Sequence, residues 1–189
     1  MAQTTRENLS YLFDDPMGHD VPDMMRSWTL NARRVSDGSH DTTKVGAIIL
    51  NHHFEPIAVG CNNFAPGERE DFTDRKRKNE RIVNAEEGAM NACLASGIPM
   101  KGCTMVTTHF PSVREARMAR QFGIREFFVD HAGFSDRFVG NWRSNLVTAR
   151  DICQQAGIRI SGMPLTVQMR PQDISQSGLI IPEENFRTG

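Results

Sequence analysis

No stretch of the chain approaches the ~18–20 consecutive apolar residues that span a bilayer, and its first residues, MAQTTRENLS, hold no apolar signal-peptide core. The expectation is a cytoplasmic protein with no membrane partner. Cysteine is sparse: Cys61, Cys93, Cys103 and Cys153 are scattered, with no Cys-x-x-Cys pair. That excludes a disulfide scaffold and points to reduced, buried thiols. An excess of either charge is also missing. Lysine and arginine number 22 against 23 aspartates and glutamates, a formal net charge of −1, so no extended nucleic-acid surface is expected. The basic run Arg75-Lys76-Arg77-Lys78 stands among Glu68, Glu70, Asp71, Asp74 and Glu80 and reads as a solvated loop of mixed charge. There is no internal repeat.

What remains is an ordinary globular composition, 39% hydrophobic and 24% charged over 189 residues, enough for one domain with a substantial core. Residues 1–20 are polar and broken by Asp14-Asp15-Pro16 and Gly18, and read as an N-terminal arm. Residues 21–169 form the domain and 170–189 a C-terminal tail. Met24, Met25, Trp28, Ala32 and Val35 recur at helical spacing between Pro22 and Ser36. Val45–Leu50 and Glu55–Cys61 read as an antiparallel strand pair across Asn51-His52-His53. Residues 62–83 read as a long polar loop, a length that in a compact domain is usually functional or else mobile.

The second half alternates. Asn84–Ser96 is an Ala-rich helix stopped by Gly97, Cys103–Phe110 a strand, Ser112–Phe122 a helix stopped by Gly123 and Arg125–Asp130 a strand. Trp142–Ala156 is a helix ending before Gly157, and Arg159–Met169 supplies a final strand or two. The order α-β-β-α-β-α-β-α-β implies right-handed parallel crossovers after an opening hairpin.

Three segments in this order resemble the zinc-dependent cytidine/deoxycytidylate deaminase family, its deoxycytidylate branch above all. Lys44-Val45-Gly46-Ala47-Ile48-Ile49 with Val59-Gly60-Cys61-Asn62-Asn63-Phe64 resembles the family's basic-Val-Gly-Ala strand and its Asn-bearing loop. Val83-Asn84-Ala85-Glu86-Glu87-Gly88-Ala89-Met90-Asn91-Ala92 resembles the His-Ala-Glu helix. Thr107-Thr108-His109-Phe110-Pro111-Ser112-Val113-Arg114-Glu115 with Gln121–Glu126 resembles the Thr-His-Phe-Pro-Cys-x-x-Cys and Ala-Gly-Ile-Lys segments. The resemblance spans roughly residues 40–130. It implies a three-layer α/β/α cytidine-deaminase-like fold with a mixed five-stranded sheet, pocket roles for Asn62 toward a sugar and Lys44 toward a phosphate, and a homo-oligomer. The Ala85, Ala89, Ala92 and Ala95 face of the second helix would permit close helix approach in such an assembly.

The resemblance also implies a departure. The family holds zinc with one His and two Cys while a non-ligand Glu moves protons; the matching positions here are Asn84, Ser112 and Glu115, and only the proton-shuttle position, Glu86, keeps its residue type. An amide, a hydroxyl and a carboxylate are poor substitutes for imidazole and thiolates, so no zinc or other cofactor is expected. Ser112-Val113-Arg114-Glu115 and Asn84-Ala85-Glu86-Glu87 both fit capping boxes. Two alternatives stay open: an oxygen site for Mg²⁺ or Mn²⁺ from Glu86, Glu115 and Asn84, and zinc recruited by His109, His52, His53 or His131. Glu86 is either a general base or a relic acid paired with Arg114 or Lys44. The family's base-stacking tyrosines have no counterpart, since Tyr11 is the single tyrosine, which leaves Phe134 or Phe138. The expected function is binding of a nucleotide or nucleobase-like small molecule without zinc-dependent deamination, as a pseudoenzyme, regulatory or partner subunit. The alternatives are altered chemistry at Glu86 and a dCMP or cytidine deaminase with an unusual metal site.

Overall fold

The computed structural model describes residues 12–16, 22–130 and 136–163. Asp15–Pro16 (β1), Asp23–Ser36 (α1), Gly46–Leu50 (β2), Pro56–Cys61 (β3), Arg75–Arg81 (α2), Ala85–Ala95 (α3), Thr104–Thr107 (β4), Val113–Phe122 (α4), Glu126–Asp130 (β5), Asp136–Gln155 (α5) and Arg159–Met163 (β6) follow one another. The sheet order is β1-β6-β5-β4-β2-β3. β2 pairs antiparallel with β3 and β4, while β4, β5, β6 and β1 run parallel. The expected mixed sheet of five strands is therefore present, and the two-residue β1 adds an edge to it. No helix among the described residues is long and apolar enough to cross a membrane.

Strand alternation sorts the core into two layers. Ile48 and Leu50 of β2, Val106 and Phe128 face Met25, Trp28, Ala32 and Val35 of α1. Ala47 and Ile49, from the same strand, face the opposite way with Met105, Phe127 and Val129, onto Ala85, Ala89 and Met90 of α3, Ala116 and Ala119 of α4, and Leu146 of α5. The result is an α/β/α sandwich. Leu12 and Phe13, read from the sequence as part of an arm, are buried in this second layer, and Asp14 N–H donates to Ile160 C=O at 3.0 Å.

One glycine decides how closely α3 lies on the sheet. A Cβ at Gly60 would sit 2.2 Å from Ala85 C=O and 2.6 Å from Ala89 N. Its absence lets the helix backbone settle directly on β3, and this sets where the α3 N-terminus ends up.

Three local readings change. Residues 62–83, expected to be a loop, contain α2, because the Asp74 carboxylate caps it by accepting from Lys76 and Arg77 N–H at 2.9 and 3.1 Å. The basic run has no apolar periodicity, so nothing in it announced a helix. β4 stops at Thr107, where Thr108 turns into the hairpin: its N–H donates to Gly46 C=O and its hydroxyl accepts from Gly46 N–H, both at 3.0 Å. α5 starts earlier than expected, at Asp136. The final strand covers Arg159–Met163; the expected residues 164–169 and the tail lie outside the described residues.

Candidate functional site

The N-termini of α3 and α4 and the C-terminal end of β4 converge on a cavity of about 800 Å³. Its floor carries Asn84, Glu86, Ser112 and Glu115. α2 forms one wall with Arg75 and Lys78, and α5 another with Trp142 and Asn145. Four of the six sequence-derived ligand and catalytic candidates thus share the floor.

α4 begins as its sequence suggests. Ser112 caps it, Glu115 reaches back, and the capping box is complete. The Ser112 hydroxyl also accepts from Arg114 N–H at 3.2 Å, and Glu115 Oε2 accepts from Ser112 N–H at 2.9 Å. Asn145 of α5 receives the next donor, Val113 N–H, at 3.1 Å. α3 begins otherwise. The expected second capping box is not formed, because the Asn84 side chain makes no capping bond. Instead its Nδ2 donates across to Glu115 Oε1 at 2.9 Å.

Glu86 lies in the first turn of α3 and is 3% exposed. Its Oε1 accepts from the Thr107 hydroxyl at 2.6 Å. Burial first, and then the charge of Glu115, push its pKa up to about 8, so at neutral pH it carries its proton. The expected basic partners are engaged elsewhere: Arg114 pairs with Glu87 at 3.0 Å, and Lys44 Nζ donates to Asp37 C=O at 3.1 Å. No ion pair among the described residues includes Glu86.

Asn62 and Lys44 fare differently. Asn62 lines the cavity, but its amide is occupied by the surrounding loop. Oδ1 accepts from Val45 N–H at 2.7 Å, and Nδ2 donates to Thr43 C=O at 2.8 Å. Lys44 is not among the described residues lining the cavity. Of the lining cations, Lys78 is bound to Asp41 at 2.6 Å and Arg114 to Glu87. Arg75, on the α2 wall, enters no ion pair among the described residues. Burial alone would push the Asp41 pKa up, but the Lys78 hydrogen bond and a bond from Thr43 N–H outweigh it and hold the carboxyl below its ordinary range.

Thr107, Arg75, Trp142 and the Asp41–Lys78 pair were not singled out from the sequence. Thr107 stood inside a quoted motif without a role of its own. Arg75 and Lys78 stood in the basic run read as a solvated loop, which the structure instead places on the cavity wall, and Asp41 and Trp142 come from segments far apart in the chain. His109 lines the cavity, and burial keeps its pKa low against the opposing charge of Asp130. His52 and His53 sit together in the β2–β3 turn, ring centroids 3.9 Å apart. His131, Tyr11 and Phe134 lie outside the described residues, as does the Phe138 side chain.

As a donor set the floor does not fit zinc. Asn84 Nδ2, the Ser112 hydroxyl and both Glu115 oxygens are engaged with one another or with the start of α4, and neither imidazole nor thiolate stands at the three positions. Among the described residues no group of three His, Cys, Asp or Glu side chains has metal-holding geometry. The oxygen-site alternative needs Glu115 turned toward Glu86, whereas both its oxygens are held by Asn84 and Ser112.

Residues 21–130 match the family model for the cytidine and deoxycytidylate deaminase zinc-binding region. An uncharacterized deaminase from the luxG 3′ region of Aliivibrio fischeri is 30% identical over 139 residues, 72% of this chain and 90% of that protein. The dCMP deaminase of cyanophage S-TIM5, solved in complex with dCMP and dUMP, superposes with a TM-score of 0.61 at 21% identity over 77% of this chain and all (100%) of its own. The Thermotoga maritima diaminohydroxyphosphoribosylaminopyrimidine deaminase/5-amino-6-(5-phosphoribosylamino)uracil reductase gives a TM-score of 0.50 at 14% identity, over 74% of this chain and 36% of that one. At these identities the two structures speak for the fold.

Proposed function

Because the chain belongs to the cytidine and deoxycytidylate deaminase family, we propose that it binds a nucleotide or nucleobase-like ligand in the cavity over Glu86 and does not carry out zinc-dependent hydrolytic deamination. The observation that carries this reading is the floor itself: at the positions where the family places its three zinc ligands, the Glu115 carboxylate is bound by Asn84 Nδ2 and Ser112 N–H, and Ser112 caps α4. Without a metal, water keeps a pKa near 15.7 rather than ~7, and a single carboxyl that already holds its proton is a poor base for it. The pocket nonetheless keeps what a ligand needs. Trp142 and Phe110 supply flat apolar surface, Glu86 (held from beneath by Thr107) and Asn84 a polar floor, and Arg75 a cation toward an anionic group such as a phosphate. In this scheme Arg75 takes the phosphate role expected of Lys44, and Asn62 shapes the wall.

The test is a thermal-shift screen of nucleotides and bases, with metal content and ammonia release measured on the same sample. A bound ligand at 100 times its Kd adds about 2.7 kcal/mol of stability, readily seen as a rise in Tm. Binding without ammonia release is the expected result. Metal-dependent release of ammonia from dCMP would refute the proposal. A second reading, altered acid–base chemistry on a bound heterocycle, is favoured by one observation: a carboxyl with a pKa near 8 is tuned to give and take a proton near neutrality. It requires turnover without metal that Glu86→Gln abolishes while binding persists.

A further inference from the structure

Asn84 stands at the N-cap of α3 with extended backbone angles, φ −68° and ψ 158°, the position and residue type that ordinarily cap a helix. Its side chain forgoes that bond and crosses to α4. There it meets Glu115, 1% exposed, whose two oxygens divide the work: Oε2 takes Ser112 N–H on its own helix and Oε1 takes Asn84 Nδ2 on the other, each at 2.9 Å. Glu86 follows Asn84 by one residue beyond Ala85 and is held from the sheet by Thr107. Three elements are thus tied together at the point where the family's metal would join the same two helices.

We propose that Glu115 is a positioning residue that replaces the metal as the structural link, its buried carboxylate pinning the first turns of α3 and α4 to each other and so fixing Glu86 at the cavity floor. The inference rests on the zinc-free reading above. The arrangement is chemically apt. Helix N-termini favour a negative charge, and an anion placed between two of them, with a donor from each, needs no cation. Removing the carboxylate leaves the Asn84 amide and Ser112 N–H, both partly buried at the cavity floor, without their acceptor. Glutamine can rebuild the link without charge, accepting from Ser112 N–H and donating to Asn84 Oδ1 once that amide turns over.

The experiment is a double-mutant cycle in urea unfolding, on Asn84→Ala, Glu115→Ala and the pair, with Glu115→Gln as rescue. It is read together with the ¹³C carboxyl resonance of Glu86. The clasp predicts that each single change lowers the folding equilibrium constant ~10-fold or more, and that the double variant falls little beyond Glu115→Ala. It predicts that Glu115→Gln recovers most of the loss. It also predicts that Asn84→Ala, which leaves the Glu115 charge in place, shifts the Glu86 resonance, whereas Ala119→Gly, which weakens α4 away from the clasp, does not. Additive losses, or an unmoved Glu86 signal in Asn84→Ala, would overturn the clasp alone. Stoichiometric zinc in the purified wild-type protein would overturn the reading beneath it, whatever the variants do. Should Glu115→Ala fail to fold, Asn84→Ala and Glu115→Gln still decide the matter.

Discussion

Glu86→Gln should make the protein more stable at neutral pH, not less. The folded state raises the Glu86 pKa to about 8, first by burial and then by the charge of Glu115, whereas in the unfolded chain a glutamate titrates near ~4.3. Between those values the folded state binds a proton that the unfolded state has released. Stability therefore falls as pH rises, by about 1.4 kcal/mol per unit. From pH 5 to 7.5 the loss is on the order of 3 kcal/mol, a large share of the ~5–15 kcal/mol that holds a domain together. It levels off above the folded pKa. Glutamine has nearly the same shape, accepts the Thr107 hydroxyl bond, and carries no charge to desolvate. Urea unfolding at half-unit steps from pH 5 to 9 should show the variant overtaking the wild type above pH 5, with a flatter profile. A variant less stable than wild type at pH 8, or one with an unchanged slope, would show that Glu86 is not held as a neutral acid.

Ser112→Ala should lower stability by ~0.5–2 kcal/mol through loss of the α4 cap, and EDTA should leave the Tm of the wild type unchanged; a drop with EDTA would point to a structural metal. Asp41→Asn should destabilise by roughly 1–3 kcal/mol, because the largely covered Lys78 ammonium loses its partner, and the double change with Lys78→Met should restore part of it; equal losses in both would assign the cost to Asp41's bonds within its own loop and not to the pair. Sedimentation at micromolar concentration should report a homodimer or larger even assembly. Ala85 and Ala89 face the chain's own core, so the contact would use the outward face of α3, where Leu94 is 49% exposed, and Leu94→Glu should shift the mass toward monomer. A monomeric wild type would end that proposal.

The fold was legible because its signals are local. Val45–Leu50 alternates between two buried faces, Gly97, Gly123 and Gly157 stop helices at positive φ, and Ser112 with Glu115 writes a capping box into four consecutive residues. The order of such elements, with strands and helices alternating after a hairpin, leaves few topologies open, and the sheet adopts one of them. Where local signals are absent, the sequence misleads. α2 rests on one cap, on the Arg81–Glu68 pair and on a tie from Lys78 to Asp41, thirty-seven positions apart in the chain, and no short window of sequence contains them all.

The site divides along the same line. Which residues stand at the family's ligand positions, and that their donor chemistry differs from His and Cys, is a property of the chain read end to end. What those residues do with their hydrogen bonds is not. Asn84 and Ser112 have equal claims as helix caps on paper, yet one caps and the other reaches across to a second helix. The choice depends on Gly60 letting α3 settle against β3 and on Glu115 arriving from α4 with an oxygen to spare. The proton on Glu86 is likewise a tertiary product, since burial and the charge of Glu115 act only after separate segments pack. Local propensity is set by neighbours along the chain, whereas pKa values and side-chain partners are set by neighbours in space.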